Sequence, residues 1–365
     1  MLKRFEVTGF KNFKDTLTID FTDVRDYKFN TECITNDTIS KMIVYGKNSV
    51  GKSNLGLAVF DIVSHLSSNN VTPHLYDYYL NAENNLDFAS FKYSFQFKNT
   101  VIDYEYKKNE NMELIYEKLI IDGAAIFVNS ENISDCDFSG VSTITSTLNM
   151  EKLDVDSILK YIITNTSLSK DHPLSLLNDY VNHMLWFRSL DENRFIGYRV
   201  KSTGYFDFIF EKDTLSEFQL FLQQAGINER LTVNSTPDGK NVLYFDTATP
   251  MPFFKVASSG TKALYTFFYW YKTAKNVSLM FIDEFDAFYH YELAESIVKL
   301  LEKMPQTQVI LTSHNTNLLT NRIMRPDCYF ILSDNKLTSF ANATNRELRE
   351  GHNLEKLYKS GEFDG

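Results

Sequence analysis

Two kinds of apolar spacing divide the start of the chain. The runs RFEVTGFKNF and TLTIDF alternate apolar and polar residues, which predicts strands that are buried on one face. KMIVYG is a short apolar run that ends at Gly46, as is typical of a buried strand. The period then becomes helical, with apolar residues at Leu55, Ala58, Ile62 and Leu66. The predicted order is therefore strand, glycine-bearing turn and helix.

The middle of the chain has two different patterns. Strand-like runs between Phe88 and Val128 predict an antiparallel meander, because turn residues separate them at short intervals. From about Ser139 to Phe221 the pattern is mainly helical and irregular, and one predicted helix covers HPLSLLNDYVNHMLWF. RLTVNS and VLYFDT then return to strand patterns. We expect a β lobe followed by a mainly helical insert.

The last third alternates regularly between helices and strands. The helix SSGTKALYTFFYWYKTAK, with a serine cap, precedes the strand SLMFIDE and the helix YELAESIVKLLEKM. The strand TQVILTSH, a short helix NTNLLTNRI and the strand CYFILS follow. Strands and helices that alternate at this spacing predict a parallel sheet with crossover helices. The predicted fold class is α/β.

Composition and charge exclude several classes of protein. Apolar residues make up 43% and charged residues 23% of the 365 residues, as in ordinary globular chains. The net charge of -10 does not favour unaided binding to nucleic acid, although a DNA contact stays open. Three widely spaced cysteines fit a reducing compartment, and no apolar run approaches the length of a membrane span. We expect a cytoplasmic protein without a membrane contact.

The first chemical motif follows the strand KMIVYG. It fits the pattern GxxxxGK[ST], and the predicted nucleotide-binding segment extends one residue further: Gly46, Lys47, Asn48, Ser49, Val50, Gly51, Lys52, Ser53 and Asn54. In such a loop the backbone N–H groups surround phosphate oxygens, the lysine reaches the β- and γ-phosphates, and the serine hydroxyl binds Mg²⁺. The alternative is a glycine turn with a chance Lys-Ser pair. The strand before it and the helix after it favour ATP binding.

Two later strands end in side chains that could act on the same nucleotide. LMFIDE ends at Asp283 and Glu284, so that Asp283 could hold Mg²⁺ and Glu284 could orient or deprotonate the attacking water. QVILTSHN ends near His314, which could sense or stabilise the γ-phosphate. The alternative for each is a residue that caps the element after the strand. Their shared order with the upstream loop favours the functional interpretation.

A fourth motif lies at the start of a predicted helix. Ser258, Ser259 and Gly260 combine hydroxyl groups with the free N–H groups of a helix N-terminus, which together can bind an anion. An ordinary serine cap is the alternative. The position of the motif, one helix before the Asp283 strand, favours an anion site.

The order of these motifs resembles the ABC-type ATPase heads of the SMC, Rad50, RecF and OLD lineage. GKNSVGKS resembles the Walker A motif, ASSGTK the signature, LMFIDE the Walker B motif, EFDAFYH the D-loop and TSH the switch histidine. The first residues, FEVTGFKNFKD, are similar to the first strands of such heads, and the C-terminal tail resembles small standalone AAA-type ATPases of abortive-infection systems. The resemblance covers roughly residues 1–100 and 250–340.

The resemblance implies a particular architecture and a composite site. Together with the patterns along the chain, it predicts a P-loop head in two parts, residues 1–135 and 226–365, with a helical lid or docking surface inserted at residues 136–225. Two subunits would enclose ATP between them, in a homodimer or a higher oligomer, and Ser258, Ser259 and Gly260 would contact the γ-phosphate held by the partner's Lys52. Asp283 and Ser53 would hold Mg²⁺, and Glu284 and His314 would act in slow, dimer-dependent ATP hydrolysis.

The chain also departs from the family pattern. Ser259 replaces a glycine of the signature, and Tyr291 stands where OLD-like proteins often have proline. The Q-loop glutamine is not identified; Gln96, Gln223 and Gln224 are weak candidates. No heptad pattern fills the gap between Ser53 and Ser258, and about 50 residues after His314 are too few for a Toprim nuclease domain.

These features favour one function and leave two alternatives open. The favoured function is an ATPase sensor or scaffold of an antiphage system, which works with a separate effector such as a Toprim-type nuclease and responds to a phage-encoded trigger. One alternative is a DNA-repair head that binds DNA in the manner of RecF. The other is a non-catalytic scaffold whose nucleotide only controls protein contacts, although the intact Glu284 counts against it.

Overall fold

The fold is described from a computed structural model of the chain. It describes residues 1–67, 73–83, 85–146, 148, 156–188, 194–197, 204–273, 276–287 and 290–363. Sixteen strands occur in these ranges: β1 Leu2–Thr8, β2 Leu17–Asp20, β3 Lys41–Tyr45, β4 Phe88–Phe97, β5 Thr100–Asn109, β6 Leu114–Ile121, β7 Ala124–Ser130, β8 Met184–Arg188, β9 Arg194–Gly197, β10 Leu231–Ser235, β11 Asn241–Phe245, β12 Met251–Pro252, β13 Leu279–Asp283, β14 Gln308–Thr312, β15 Tyr329–Ser333 and β16 Lys336–Ser339.

Eight α-helices accompany these strands in the described ranges. They are α1 Lys52–Leu66, α2 Ile158–Asn165, α3 Pro173–Asn182, α4 Thr214–Gln224, α5 Phe253–Val256, α6 Ser259–Thr273, α7 Tyr291–Glu302 and α8 Leu354–Lys359. Nowhere in these ranges is a helix both long and apolar enough to cross a membrane.

A seven-stranded sheet forms the centre of the molecule, in the order β16-β15-β3-β14-β13-β8-β9. The five inner strands run parallel, and β16 and β9 pair antiparallel at the two edges. Every residue of β3, β13 and β14 is buried, because helices cover both faces of such a sheet. The prediction of an α/β fold with a parallel sheet and crossover helices is confirmed.

A second sheet contains the predicted meander. Its six antiparallel strands lie in the order β2-β1-β4-β5-β6-β7, so the first strands of the chain complete the lobe. Alternating burial along β4 and β5 follows from one face packing on the core. A third, three-stranded sheet joins β10, β11 and β12.

Helix α1 lies against the central sheet at very short range. A Cβ at Gly56 would lie 2.9 Å from a ring carbon of Phe281 and 3.0 Å from one of Trp186. A side chain at this position would therefore separate the helix from the sheet that positions it. This close contact fixes the helix whose first residue is Lys52.

The segment predicted as a helical insert differs from the prediction. The helix predicted over HPLSLLNDYVNHMLWF ends at Asn182, and Met184–Arg188 is instead a strand that pairs in parallel with β13. The prediction was wrong there because a short, continuous apolar run fits a buried strand as well as a helix. The short helix predicted over NTNLLTNRI is reduced to one 3-10 turn, Thr316–Leu318. The division at residues 135 and 225 stays a prediction.

Candidate functional site

The glycine-bearing loop joins β3 to α1 in a strained conformation. Ser49 and Gly51 both have positive φ, 67° and 103°, and α1 begins directly afterwards at Lys52. Glycine adopts this left-handed conformation without a steric cost. A Cβ at Gly46 would lie 2.7 Å from the carbonyl oxygen of Leu332, so this position is restricted as well. Both glycines of the motif are thus required by the local backbone.

The side chain of Lys52 is folded back over its own loop. It is 6% exposed, and its Nζ donates to the carbonyl oxygens of Gly46 at 3.1 Å and Lys47 at 3.2 Å. The Nζ also lies 2.7 Å from Nε2 of His314. Burial lowers the pKa of Lys52, and the charges of Glu284 and Asp283 oppose that shift. The sheet thus brings the first and last predicted motifs into direct contact.

The register of the central sheet aligns the three strand ends. β14 lies between β3 and β13, with Thr312 opposite Val44 and Leu311 opposite Ile282. The carboxyl ends of parallel strands meet at one edge of a sheet, which is where such folds bind ligands. The residues that follow these strands therefore converge on the phosphate loop.

Thr312 joins the two acidic residues at the carboxyl end of β13. Its hydroxyl donates to Oδ1 of Asp283 at 2.7 Å and accepts from the backbone N–H of Glu284 at 2.7 Å. Glu284 has a positive φ of 46°, which turns the chain sharply after the buried Asp283. A non-glycine residue in this conformation is strained, and such strain is concentrated at functional sites.

His314 lies between the lysine and the glutamate. Its Nε2 is 3.8 Å from Oε1 of Glu284, and its side chain is 37% exposed. Burial, followed by the charge of Lys52, lowers the pKa of His314, whereas Glu284 and neighbouring aspartates raise it. A neutral His314 can accept a hydrogen bond from the Lys52 ammonium through Nε2.

The segment predicted as a D-loop is attached to the same strand end. Ser313 donates from Oγ to Oδ2 of Asp286 at 2.8 Å, and burial raises the pKa of Asp286. Positions 288 and 289 of this motif lie outside the described residues. Tyr291, found where a proline was expected, is the first residue of α7. A proline is favoured there for its fixed φ but is not required.

The signature residues lie at the start of α6. Ser258 precedes the helix, and its Oγ accepts from the N–H of Thr261 at 3.1 Å, as a serine cap does. Ser258 and Ser259 are exposed and Gly260 is partly exposed. Within the described part of the chain, the cleft at the phosphate loop contains none of the three.

The strand ends and the loop enclose a cleft of about 190 Å³, lined by Asn12, Asn48, Ser49, Gly51, Lys52, Ser53, Asn54, Glu284 and His314. Of the other predicted site residues, Gly46 and Lys47 supply the carbonyl oxygens that Lys52 contacts. Val50 is partly buried against the core, and Asp283 is buried beside Thr312.

Sequence reasoning missed two contributors to this site. Asn12 donates from Nδ2 to the carbonyl oxygen of Ser49 at 3.4 Å, and its Oδ1 accepts from the amide of Asn54. It belongs to the quoted opening FEVTGFKNFKD, to which we assigned no site residue. Thr312 belongs to the run LTSH, in which only the histidine was given a role.

The residues of the cleft fit a nucleotide with a magnesium ion. The serine hydroxyl of Ser53 and the carboxylate of Asp283 are hard oxygen ligands of the type that Mg²⁺ prefers. The loop has no room for a Cβ at Gly46, and a helix N-terminus follows it. Both features fit a site that binds phosphate oxygens. Gln96, by contrast, lies in β4, where its N–H donates to the carbonyl oxygen of Met1, and it does not line this cleft.

Comparison with protein families places the chain in a known group of ATPases. The family described as "AAA domain, putative AbiEii toxin, Type IV TA system" matches residues 41–320, which include every predicted motif. A search among curated proteins found no match.

Solved structures of SMC heads have a similar fold. The SMC head bound to the C-winged helix domain of ScpA is 13% identical, with 93% of this chain and 97% of that chain covered and a TM-score of 0.51. The Thermotoga maritima SMC head is 13% identical over 93% and 98%, with a TM-score of 0.44. The Pyrococcus furiosus Smc head, with an extended coiled coil and the C-terminal domain of ScpA, is 12% identical over 98% and 98%, with a TM-score of 0.48. The first of these supports an SMC-head-like fold and nothing beyond it.

Proposed function

The chain belongs to the AAA-domain family whose description names the AbiEii toxin and type IV toxin–antitoxin systems. On this basis we propose that it hydrolyses ATP as a homodimer. We also propose that it controls a separate effector in defence against phage. The observation that carries this proposal is the convergence of Lys52, Glu284 and His314 on one cleft. A purely structural turn does not need these groups together.

Each group has a chemical task in the proposed reaction. Water attacks the γ-phosphorus, the bond to the β–γ bridging oxygen breaks, and ADP and phosphate are released. Lys52 neutralises charge on the β- and γ-phosphates, and Glu284 orients the water and accepts its proton. Neutral His314 hydrogen-bonds a γ-phosphate oxygen in this proposal, which its place between Lys52 and Glu284 supports.

Ser53 and Asp283 are the residues that would hold Mg²⁺. The ion neutralises phosphate charge when it is bound. Thr312 fixes the carboxylate of Asp283 through its hydroxyl, so the orientation of this ligand is set by β14. Such supporting contacts are how a fold orients the ligands of an ion.

The place of the signature supports a dimer. Ser258 and Ser259 are exposed at an N-terminus of α6 that does not line the cleft of the same subunit. Free N–H groups at a helix start can bind an anion, and a second subunit can bring them to the γ-phosphate. The toxin–antitoxin description of the family supports a separate partner protein whose activity depends on this dimer.

Mixing two inactive variants tests the composite site. Lys52→Ala removes the phosphate contact, and Ser259→Arg blocks the signature, so each homodimer should lack ATP hydrolysis. A heterodimer of the two keeps one intact site, and we expect a mixture to recover about a quarter of the wild-type rate if subunits exchange at random. In cells that carry the natural operon, Lys52→Ala should also abolish any reduction in phage plaques.

Controls separate this result from a general loss of structure. Lys240→Ala changes an exposed lysine between β10 and β11, outside the predicted site, and should leave ATP binding and hydrolysis near wild type. A mixture that stays as inactive as its components, although both variants are folded and dimeric, would contradict the composite site. Wild-type ATP affinity in Lys52→Ala would contradict the nucleotide site itself.

A further inference from the structure

Tyr78 is exposed to an unusual degree for a large aromatic side chain. It is 94% exposed, and its φ is 55°, in the left-handed region. It follows the 3-10 helix Pro73–Tyr76, on the segment that returns from the end of α1. A tyrosine in this left-handed conformation is strained, and such strain is concentrated at functional sites.

The residues around Tyr78 are held firmly. The carbonyl oxygen of Asp77 accepts from Nζ of Lys11 at 2.7 Å, and that of Tyr79 accepts from the N–H of Lys11 at 3.1 Å. Tyr79 also donates its hydroxyl to Oδ1 of the buried Asp61 at 2.9 Å. The Tyr78 ring is therefore presented to solvent by a fixed segment.

These same contacts join the segment of Tyr78 to the residue that precedes Asn12 in the nucleotide cleft. Lys11 precedes Asn12, which lines the cleft and contacts Ser49 and Asn54. A Cβ at Gly51 would lie 3.1 Å from Cβ of Asn12, so the loop around Asn12 packs directly on the phosphate loop. The segment that holds Tyr78 is thus joined through Lys11 to one wall of the cleft.

The two sides of the cleft differ in chemistry. Glu284, His314 and the Lys52 ammonium lie together at the strand ends, and this cluster marks the side of the γ-phosphate. The nucleoside must extend away from the reacting phosphate. Asn12 contributes to the cleft from a different segment, the turn between β1 and β2, which Lys11 joins to the segment of Tyr78.

We propose that Tyr78 is the residue on which the nucleobase stacks, so that it sets affinity for the base part of the nucleotide. This inference rests on the proposed function, because it assumes that the cleft binds ATP. An exposed ring offers a flat π-face, and stacking on such a face tolerates any base. The fixed segment lowers the entropy lost when the base binds.

Calorimetric titration with two probes tests this role. Wild-type protein and the variant Tyr78→Ala are each titrated with ATP and with inorganic tripolyphosphate, in the presence of Mg²⁺. We expect Tyr78→Ala to lower ATP affinity about tenfold or more, as loss of one stacked base does, and to leave tripolyphosphate affinity unchanged. Tyr78→Phe keeps the ring and should bind ATP like wild type.

The controls distinguish the failure of this inference from that of the proposed function. ATP affinity within twofold of wild type in Tyr78→Ala would overturn the stacking role, as would an equal loss for both probes. In either case, if Lys52→Ala abolishes ATP binding, the assignment of the nucleotide site is still supported. Tyr116→Ala, which removes a partly exposed tyrosine of β6 that does not line the cleft, should change neither affinity.

Discussion

Helix α1 carries two clusters of charged side chains that have similar members but different surroundings. The cleft cluster, at its first turn, contains Lys52, Asp283, Glu284 and His314. The core cluster, in its second half, contains Asp61, His65, Lys108 and Glu117. Each has a lysine, a histidine and two carboxylates.

The core cluster is almost completely hydrogen-bonded. Lys108 donates from Nζ to Oδ2 of Asp61 at 2.6 Å, and the hydroxyl groups of Tyr79 and Tyr106 donate to the same carboxylate. Glu117 is fully buried, with Tyr104, Ser157 and the first two N–H groups of α2 as donors. Buried charges persist in a fold when they are paired in this way.

The cleft cluster has fewer contacts and is more open to solvent. The nearest approach of Glu284 to His314 is 3.8 Å, and their side chains are 30% and 37% exposed. Groups that stay partly free can exchange partners with a substrate, whereas groups that are fully bonded cannot do so without unfolding. The comparison therefore assigns stability to one end of the helix and chemistry to the other.

The largest expected effect is on stability and comes from the core cluster. Asp61→Ala leaves the Lys108 ammonium buried without its carboxylate, so we expect the free energy of unfolding to fall by about 3–5 kcal/mol. Glu284→Ala, in the open cluster, should change it by less than about 0.5 kcal/mol. Urea denaturation of both variants measures the difference.

A double variant makes this test stricter. Asp61→Leu with Lys108→Met removes both charges, and it should be more stable than Asp61→Ala because no buried charge is left alone. Equal losses for Asp61→Ala and Glu284→Ala would contradict the division between the two clusters.

An intermediate effect, on turnover, is expected at Thr312. Thr312→Val removes the hydroxyl that orients Asp283 and accepts from the N–H of Glu284. Loss of one such hydrogen bond should raise the activation free energy by about 1.4 kcal/mol, so we expect ATP turnover to fall about tenfold. A steady-state phosphate-release assay measures this rate.

Thr307→Val is a matched control for this variant. Thr307 directly precedes the first residue of β14, and Thr312 is the last residue of that strand. The Thr307 hydroxyl donates to the carbonyl oxygen of Val277 at 2.8 Å. Its replacement should cost a comparable amount of stability, about 1 kcal/mol, without lowering turnover. A similar loss of turnover in both variants would show that Thr312 acts through the fold alone.

The sequence predicted the motifs of the cleft better than the contacts that support them. GKNSVGKS and LMFIDE were recognisable because glycines, a lysine and carboxylates occur at fixed spacing next to apolar strands. Local spacing also predicted the four-strand meander, in which each strand pairs with the next along the chain. These features depend on residues that are neighbours in sequence.

The features that were missed depend on distant residues. Glu117 caps α2 from 41 positions away, and Asn12 reaches the loop at Ser49 from 37 positions away. Met184–Arg188 becomes a strand because β13 offers it a partner, which the apolar run alone cannot indicate. Tertiary pairing decided between helix and strand at this position.

The smallest expected effect is on the pH dependence of folding stability. It should differ between His65 of the core cluster and His314 of the cleft cluster. The Tyr104 hydroxyl donates to Glu117, so it accepts from Nε2 of His65 at 3.0 Å, and the His65 ring packs edge-on against Tyr106. Burial, then the charges of Lys108 and Lys160, holds the pKa of His65 well below its ordinary value, although a backbone contact at Asp61 opposes the shift. The unfolded chain therefore takes up a proton below about pH 6.5 that the folded chain does not.

Folding stability should consequently fall as the pH falls from about 6.5, by at most about 1.4 kcal/mol per pH unit from this residue. Burial raises the pKa of Glu117, which acts in the opposite direction, so the effect of His65 is taken as the difference between wild type and His65→Gln from pH 7.5 to 5.5. His65→Gln should flatten this dependence. His314→Gln should flatten it less, because the 37% exposed ring in the cleft is better solvated. Equal slopes for wild type and His65→Gln would mean that the core cluster relaxes to admit the proton, and that it is less rigid than its hydrogen bonds indicate.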